Sequence, residues 1–295
     1  AEAQAVPGIK CVDVSWHLGG KRDAKAEFLE QHLPAAVFFD IDDIADKGSP
    51  LPHMIPSGQV FSQRVSDLGI GSDDTVLVYT TRDCFSAARG WWTFKTFGHD
   101  NVYILDGGLP AWEAAGGPLE SGEVPVESTR PSPGLVQKGG NTWMLGSKGF
   151  WAKLRPEYIR TWRQVLAQSQ TGNGQVVDAR SLARFNAQAP EPRPGVAGGH
   201  IPGSVSVPFE KVLAEGDWTR FRSPREIRQA RAGVFADAGV DVESAEPLTT
   251  SCGSGVTAAV LTLALEIIGR KAGSSPVYDG AWAEWGSRDD LPREP

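Results

Sequence analysis

This 295-residue chain repeats itself, and that constrains its fold more than any other feature. "CVDVS" at 11–15 answers to "VVDAR" at 176–180, each a β-branched run carrying an aspartate. "HLPAAVFFD" (32–40) answers to "HIPGSVSVP" (200–208), and "LGIGSDDTVLVYTT" (68–81) to "AGVDVESAEPLTTS" (238–251). Last, "LDGGLPAW" (105–112) answers to "YDGAWAEW" (278–285). The offsets rise slowly, 165, 168, 170 and 173, as small loop insertions would make them. Four matches in one order imply two copies of one domain. The boundaries read as a first domain over 1–120, a linker over 121–155 and a second domain over 156–295.

Each copy runs strand, loop, His-(Leu/Ile)-Pro turn, strand, helix, strand, helix, short strand. "TVLVY" (75–79) is strand-like, and "FSAARGWWTFKTFG" (85–98) reads as a helix. Strands alternating with helices predict an α/β fold, a parallel sheet with helices on its faces, twice over. The join is rich in Gly, Pro and Ser and reads as extended segments over the surface. "LRPEYIRTWRQVLAQS" reads as a helical stretch leading into the second sheet.

With 29 Lys+Arg against 36 Asp+Glu, the net charge is −7, which argues against non-specific nucleic-acid binding. The longest apolar run, 256–268, is too short for a membrane span and reads as a buried helix. No secretory or Arg-rich amphipathic segment is seen at the N-terminus, although a leader already removed would leave no trace. Cys11, Cys84 and Cys252 are too few and too scattered for a disulfide framework or a metal site. A soluble protein of a reducing compartment, cytoplasmic or mitochondrial, is expected, with no metal or organic cofactor.

Cys252 stands apart. In "LTTSCGSGVTAAV" (248–260) a strand ends near Thr250, and Gly253 and Gly255 free the backbone to turn. Thr257 is placed to cap a helix beginning near Ala258. Such an arc turns backbone amides inward at a helix N-terminus, and that field stabilises a thiolate. Cys252 is therefore the candidate nucleophile, with Gly253, Gly255, Val256 and Thr257 as its cradle. Cys84 lies near the matching place in the first copy, but "RDCFSAAR" (82–89) has no glycine for a nest. Cys84 and Cys11 are read as structural. His32 and His200 occur in both copies and read as fold residues, as do the tryptophans of "GWWTF" and "AWAEW". Asp13, Asp106, Asp178 and Asp279 read as hydrogen-bonding anchors.

"CGSGVTA", "YDGAWAEW", "GHIPGS" and the tandem layout resemble the two-domain rhodanese-type sulfurtransferases, and within them the 3-mercaptopyruvate sulfurtransferases. The resemblance implies a catalytically silent first copy and a second copy whose cysteine carries sulfane sulfur as a persulfide. It also implies that Arg184 and Arg193, in "LARFNAQAPEPRPG" (182–195), grip the donor's carboxylate and ketone oxygen. An arginine fork suits that task. Family members specialised for thiosulfate resemble "CRKGVT", whereas here the two places are Gly253 and Ser254 and carry no charge. The resemblance further assigns Ser254, His53 and Asp42 as an acid–base group, with Asp40 and Asp43 as competitors for the Asp42 role. Whether that group activates the donor or protonates the pyruvate enolate stays open. The implied acceptors are cyanide, small thiols and thioredoxin.

Three rivals stand beside this reading. A thiosulfate sulfurtransferase of the same fold is disfavoured by the uncharged loop. A phosphatase with a related cysteine loop would need Arg at position 258, where this chain has Ala258. A non-catalytic persulfide carrier would load once and stop.

Overall fold

The computed structural model describes residues 8–19, 22–125, 135–137, 143–145, 149–228 and 233–295. It divides into two compact units. One comprises Ala1–Asp46 and Ile55–Leu154; the other comprises Lys47–Met54 and Arg155–Pro295.

In the first unit, β1 (Ile9–Asp13), β2 (Val37–Phe38), β3 (Thr75–Tyr79) and β4 (Val102–Ile104) form a parallel sheet in the order β2-β1-β3-β4. Its helices are α1 (Ala24–Glu30), α2 (Gly58–Asp67), α3 (Ala87–Thr96) and α4 (Gly108–Ala114). Val76 and Val78 of β3 are fully buried. Phe61 of α2 stacks on Phe97 at 4.2 Å and meets Phe94 and Phe150 edge-on. Beyond β4, β5 (Leu135–Gln137) and β6 (Trp143–Leu145) pair antiparallel. The end of the expected linker is pinned: the amides of Phe150, Trp151 and Ala152 donate to the hydroxyls of Ser66, Ser72 and Ser62. Residues 126–134, 138–142 and 146–148 of that linker lie outside the described residues.

The second unit is built on a five-stranded parallel sheet. Its strands are β7 (Ile159–Arg160), β8 (Gln175–Asp178), β9 (Val205–Ser206), β12 (Leu248–Ser251) and β13 (Val277–Tyr278), in the order β7-β13-β12-β8-β9. Between β9 and β12 an antiparallel pair, β10 (Leu213–Ala214) and β11 (Asp217–Phe221), stands apart from the sheet. The helices are α5 (Trp162–Thr171), α6 (Leu182–Phe185), α7 (Pro224–Arg228), α8 (Val256–Ile267) and α9 (Ala281–Trp285). The expected helical stretch at 154–169 opens differently: a 3₁₀ turn, then β7, which pairs with β13 at the sheet edge. Only then does α5 begin, at a Thr161–Gln164 capping box. Central β12 is buried along its length, so its hydroxyls need partners. Thr249 donates to Gln168 Oε1 at 2.7 Å, and Thr250 shares a 2.8 Å bond with Thr262 of α8. The apolar run at 256–268 is α8 and is buried on most sides.

Equivalent hydrogen bonds mark the repeat in the backbone. His32 bridges to Glu120 in one unit, and His200 bridges to Glu294 in the other. Each ring stacks on a phenylalanine, Phe28 and Phe185 respectively. The Trp112 and Trp285 indoles donate to the carbonyls of Pro118 and Pro292. Asp13 and Asp178 each accept the amide two residues ahead. The amide of Val14 bonds the carbonyl of Tyr79 where that of Ala179 bonds Ser251. That last pair corrects the sequence register: Tyr79, not Thr81, is the counterpart of Ser251.

Candidate active site

Strand β12 delivers the chain to Cys252 at the carboxyl end of the sheet, where a parallel α/β fold places its ligands. Four residues, 252–255, separate Ser251 from the first residue of α8, Val256. Gly255 makes that possible with φ 81°, a left-handed conformation that a side chain would strain. Gly255 is also the helix N-cap, so the helix starts at Val256 and Thr257 is its second residue. The capping role expected of Thr257 is thus overturned. A glycine cap offers no side chain to the helix amides, leaving them to whatever occupies the loop.

The Gly255 amide donates to Cys252 Sγ at 3.0 Å. The carbonyls of Cys252 and Gly253 accept from Trp282 and Ala283 of α9, at 2.8 and 2.9 Å. With two of its carbonyls engaged by α9, the loop turns the Gly255 amide to the sulfur. Cys252 is 2 % exposed, Ser254 is also buried, and Gly253 is half-buried. The position suits a nucleophile that must be shielded from bulk water once charged or persulfidated.

Arg184, on α6, reaches this loop. A Cβ built on Gly253 would stand 2.9 Å from Arg184 Nη2, so the guanidinium occupies the space a side chain at 253 would need. Glu191 holds it there: Arg184 Nε and Nη2 both donate to the Glu191 carboxylate. Glu191 also accepts from Arg180 Nη1 at 2.9 Å. Arg180, buried, grips Asp178 through Nε and Nη2 and donates to the Gly199 carbonyl. It lies over the Trp282 ring at 4.4 Å, a cation–π contact in the dry interior. Burial works against the Arg180 charge, but Asp178 and then Glu191 outweigh it and hold the guanidinium above its ordinary range.

The remaining predicted residues are placed as follows. Arg193 is half-buried in the loop that carries Glu191. Val256 is buried at the head of α8 and Thr257 is half-buried beside it. His53 is 6 % exposed, has φ 60°, and falls in Lys47–Met54, the segment that belongs to the unit of Cys252 and Ser254. A non-glycine residue in that conformation is held there at a cost of order 1–3 kcal/mol, a pattern concentrated at functional sites. Asp42 lies in the other unit, where the Trp16 indole donates to its Oδ2 at 2.9 Å. Its rival Asp40 accepts the amides of Asp42 and Asp43, which makes it a turn anchor. Sequence reading missed Glu191 and Arg180. The signal was present as an Asp-x-Arg at 178–180 and a glutamate lying between the two candidate arginines.

The other two cysteines lie in the first unit, Cys84 buried and Cys11 half-buried. Burial pushes Cys11 up to about 11 and also raises Cys84, which is 1 % exposed and sits 3.0 Å from the Ser86 hydroxyl. Among the described residues no three His, Cys, Asp or Glu side chains group as metal ligands do. No helix among them is long and apolar enough to cross a membrane.

The rhodanese-like domain profile matches residues 7–115 and again 161–288. The thiosulfate/3-mercaptopyruvate sulfurtransferase 1, mitochondrial, of Arabidopsis thaliana is 38% identical over 292 residues, covering 98% of this chain and 74% of its own. The 3-mercaptopyruvate sulfurtransferase of Escherichia coli K12 is 38% identical over 291 residues, 98% of this chain and 93% of its own. The crystal structure of SseA from Escherichia coli, described for the rhodanese fold of 3-mercaptopyruvate sulfotransferases, superposes with TM-score 0.74. It is 35% identical and covers 94% of this chain and 93% of its own.

Proposed function

The chain belongs to the rhodanese-like domain family as a two-domain sulfurtransferase, and on that premise we propose that it takes sulfur from 3-mercaptopyruvate. The observation that carries this reading is the placement of Arg184 against the uncharged Gly253 of the cysteine loop. A keto acid presents a planar carboxylate, which an arginine edge matches; thiosulfate is a compact dianion that rewards charge beside the sulfur. Overall similarity does not choose, because the Arabidopsis relative is named for both donors.

In the proposed reaction Arg184 and Arg193 hold the carboxylate and ketone oxygen. The Cys252 thiolate attacks the terminal sulfur of the donor. An S–S bond forms, the C–S bond breaks, and its electron pair passes into the enolate of pyruvate. Ser254, His53 and Asp42 are the acid–base candidates, to activate the donor or to supply the proton that the enolate carbon takes up. The loop amides and the start of α8 then stabilise the Cys252 persulfide. A second nucleophile attacks the outer sulfur and regenerates the thiolate; cyanide, a small thiol or thioredoxin fits that role. The first copy serves without a nucleophile of its own.

The test is steady-state pyruvate release from 3-mercaptopyruvate with a thiol acceptor, beside thiocyanate formation from thiosulfate and cyanide. The expected result is a strong preference for mercaptopyruvate. Arg184→Ala should raise KM for that donor by roughly 10- to 100-fold, the loss of charge-assisted hydrogen bonds. A preference for thiosulfate, or an unchanged KM in Arg184→Ala, would overturn the proposal.

A further inference from the structure

Asp178, Arg180, Glu191 and Arg184 form one continuous ionic chain, two anions and two cations, ending at the Cys252 loop. Three of the four side chains are at most 4 % exposed, while Arg184 is 21 % exposed and is the member that opens toward a ligand. The chain is neutral overall. Arg184 therefore reaches the loop with its charge already balanced, and what it offers a donor is geometry more than net charge. Glu191 occupies the Nε and Nη2 donors on one edge. It leaves Nη1 and the second hydrogen of Nη2, a fork that fits two carboxylate oxygens side by side.

We infer that Glu191 is the residue that sets donor specificity, by fixing which edge of Arg184 faces the donor and by cancelling its charge. This inference rests on the mercaptopyruvate reading above. It makes the uncharged loop only half of the selection: an unbalanced cation at position 184 would favour a compact dianion even without charges at 253 and 254. Glu191 touches no reacting atom in this scheme and acts through Arg184 as a positioning residue. The buried Asp178–Arg180 pair on Trp282 keeps Glu191 in turn from following Arg184 toward solvent.

Removing the charge and removing the alignment both weaken mercaptopyruvate but differ in what they do to thiosulfate, and this separates the inference from a merely structural role. Glu191→Gln keeps the shape but leaves the network one positive charge in excess. The expected result is a KM for 3-mercaptopyruvate raised about tenfold, with kcat nearly unchanged and a KM for thiosulfate unchanged or lowered. A general loss of folding would instead lower kcat for both donors together. Glu191→Asp restores the charge but is too short to span both arginines. It should raise the mercaptopyruvate KM without improving thiosulfate. Should Glu191→Gln fail to fold, Glu191→Asp carries the test alone, through a mercaptopyruvate KM that rises while that for thiosulfate does not fall.

Equal effects on both donors, or none, in whichever of these variants folds would overturn the inference while wild-type use of mercaptopyruvate kept the proposed function standing. Wild type that turned over thiosulfate alone would sink both.

Discussion

The two copies leave the sheet for their next helix in different ways. Leu109 donates to the carbonyl of Thr80 where Trp282 donates to that of Cys252, so Thr80 holds the place of Cys252 in the first copy. From there the second copy needs only Gly253 and Ser254 before its cap, Gly255. The first copy spends five residues, 81–85, before Ser86, and Cys84 belongs to that longer loop. Under the strands a second difference runs in parallel. Asp178 has Arg180 two residues on, where Asp13 has Ser15. A cysteine at that place and an arginine two residues past the strand aspartate thus occur together in one copy, where the other has Thr80 and Ser15. Sharing a fold preserved the hydrogen bonds of the frame and left the chemistry free to be lost.

The comparison breaks most visibly at the sulfur. Cys252→Ser should lower pyruvate release by at least roughly a thousandfold. Adding Thr80→Cys to that variant should restore nothing, because a longer loop without glycine makes no nest around position 80. Recovery of turnover would show that a cysteine at that place alone suffices.

The aspartates come next, with opposite signs. Asp178→Asn strips a buried arginine of one of its carboxylates and should cost about 3 kcal/mol, read as a lowered unfolding midpoint. Asp13 is different: burial, opposed by hydrogen bonds from Ser15 and Tyr79, pushes its carboxyl up to about 6. A carboxyl raised in the folded state binds its proton more tightly there than in the unfolded chain. Its contribution is therefore fully present at low pH and is lost as pH rises from about 4 through 6, by about 3 kcal/mol at most. Asp13→Asn should flatten that decline and raise the midpoint at pH 7. A decline identical to wild type would refute the assignment.

Gly255→Ala forces a side chain into the left-handed region beside the sulfur. It should cost about 1–2 kcal/mol of loop geometry, roughly tenfold in kcat/KM. The smallest expected effect is a swap at the repeated His-x-Pro turns. Ala35, exposed with φ 53°, stands where the second copy has Gly203 with φ 73°. Ala35→Gly should raise the midpoint by the equivalent of about 0.5 kcal/mol and Gly203→Ala should lower it by about 1 kcal/mol.

Legibility followed the range of the interactions. The His-x-Pro turns and the Asp-Gly…Trp segments could be read because their roles close within a few residues, and the same closures recur in both units. The register at 68–81 could not be read correctly, since an insertion just beyond a strand is indistinguishable from a shift within it. The start of α8 was misplaced because a glycine cap leaves no Ser, Thr, Asp or Asn to announce it. Cys252 was legible from its glycine-spaced loop between strand and helix, and Arg184 was found through the resemblance. Glu191 was not, because an ion pair from 180 to 191 depends on the loop folding back, which no periodicity encodes. That Lys47–Met54 joins the second unit was equally invisible.

That last segment has a consequence for how such a protein can be shortened. The second unit is not contiguous in the gene: a product beginning at Arg155 would lack eight residues encoded a hundred codons earlier, His53 among them. Here eight residues encoded within the first repeat belong to the second unit, so a deletion cannot remove the first repeat whole without cutting into the second.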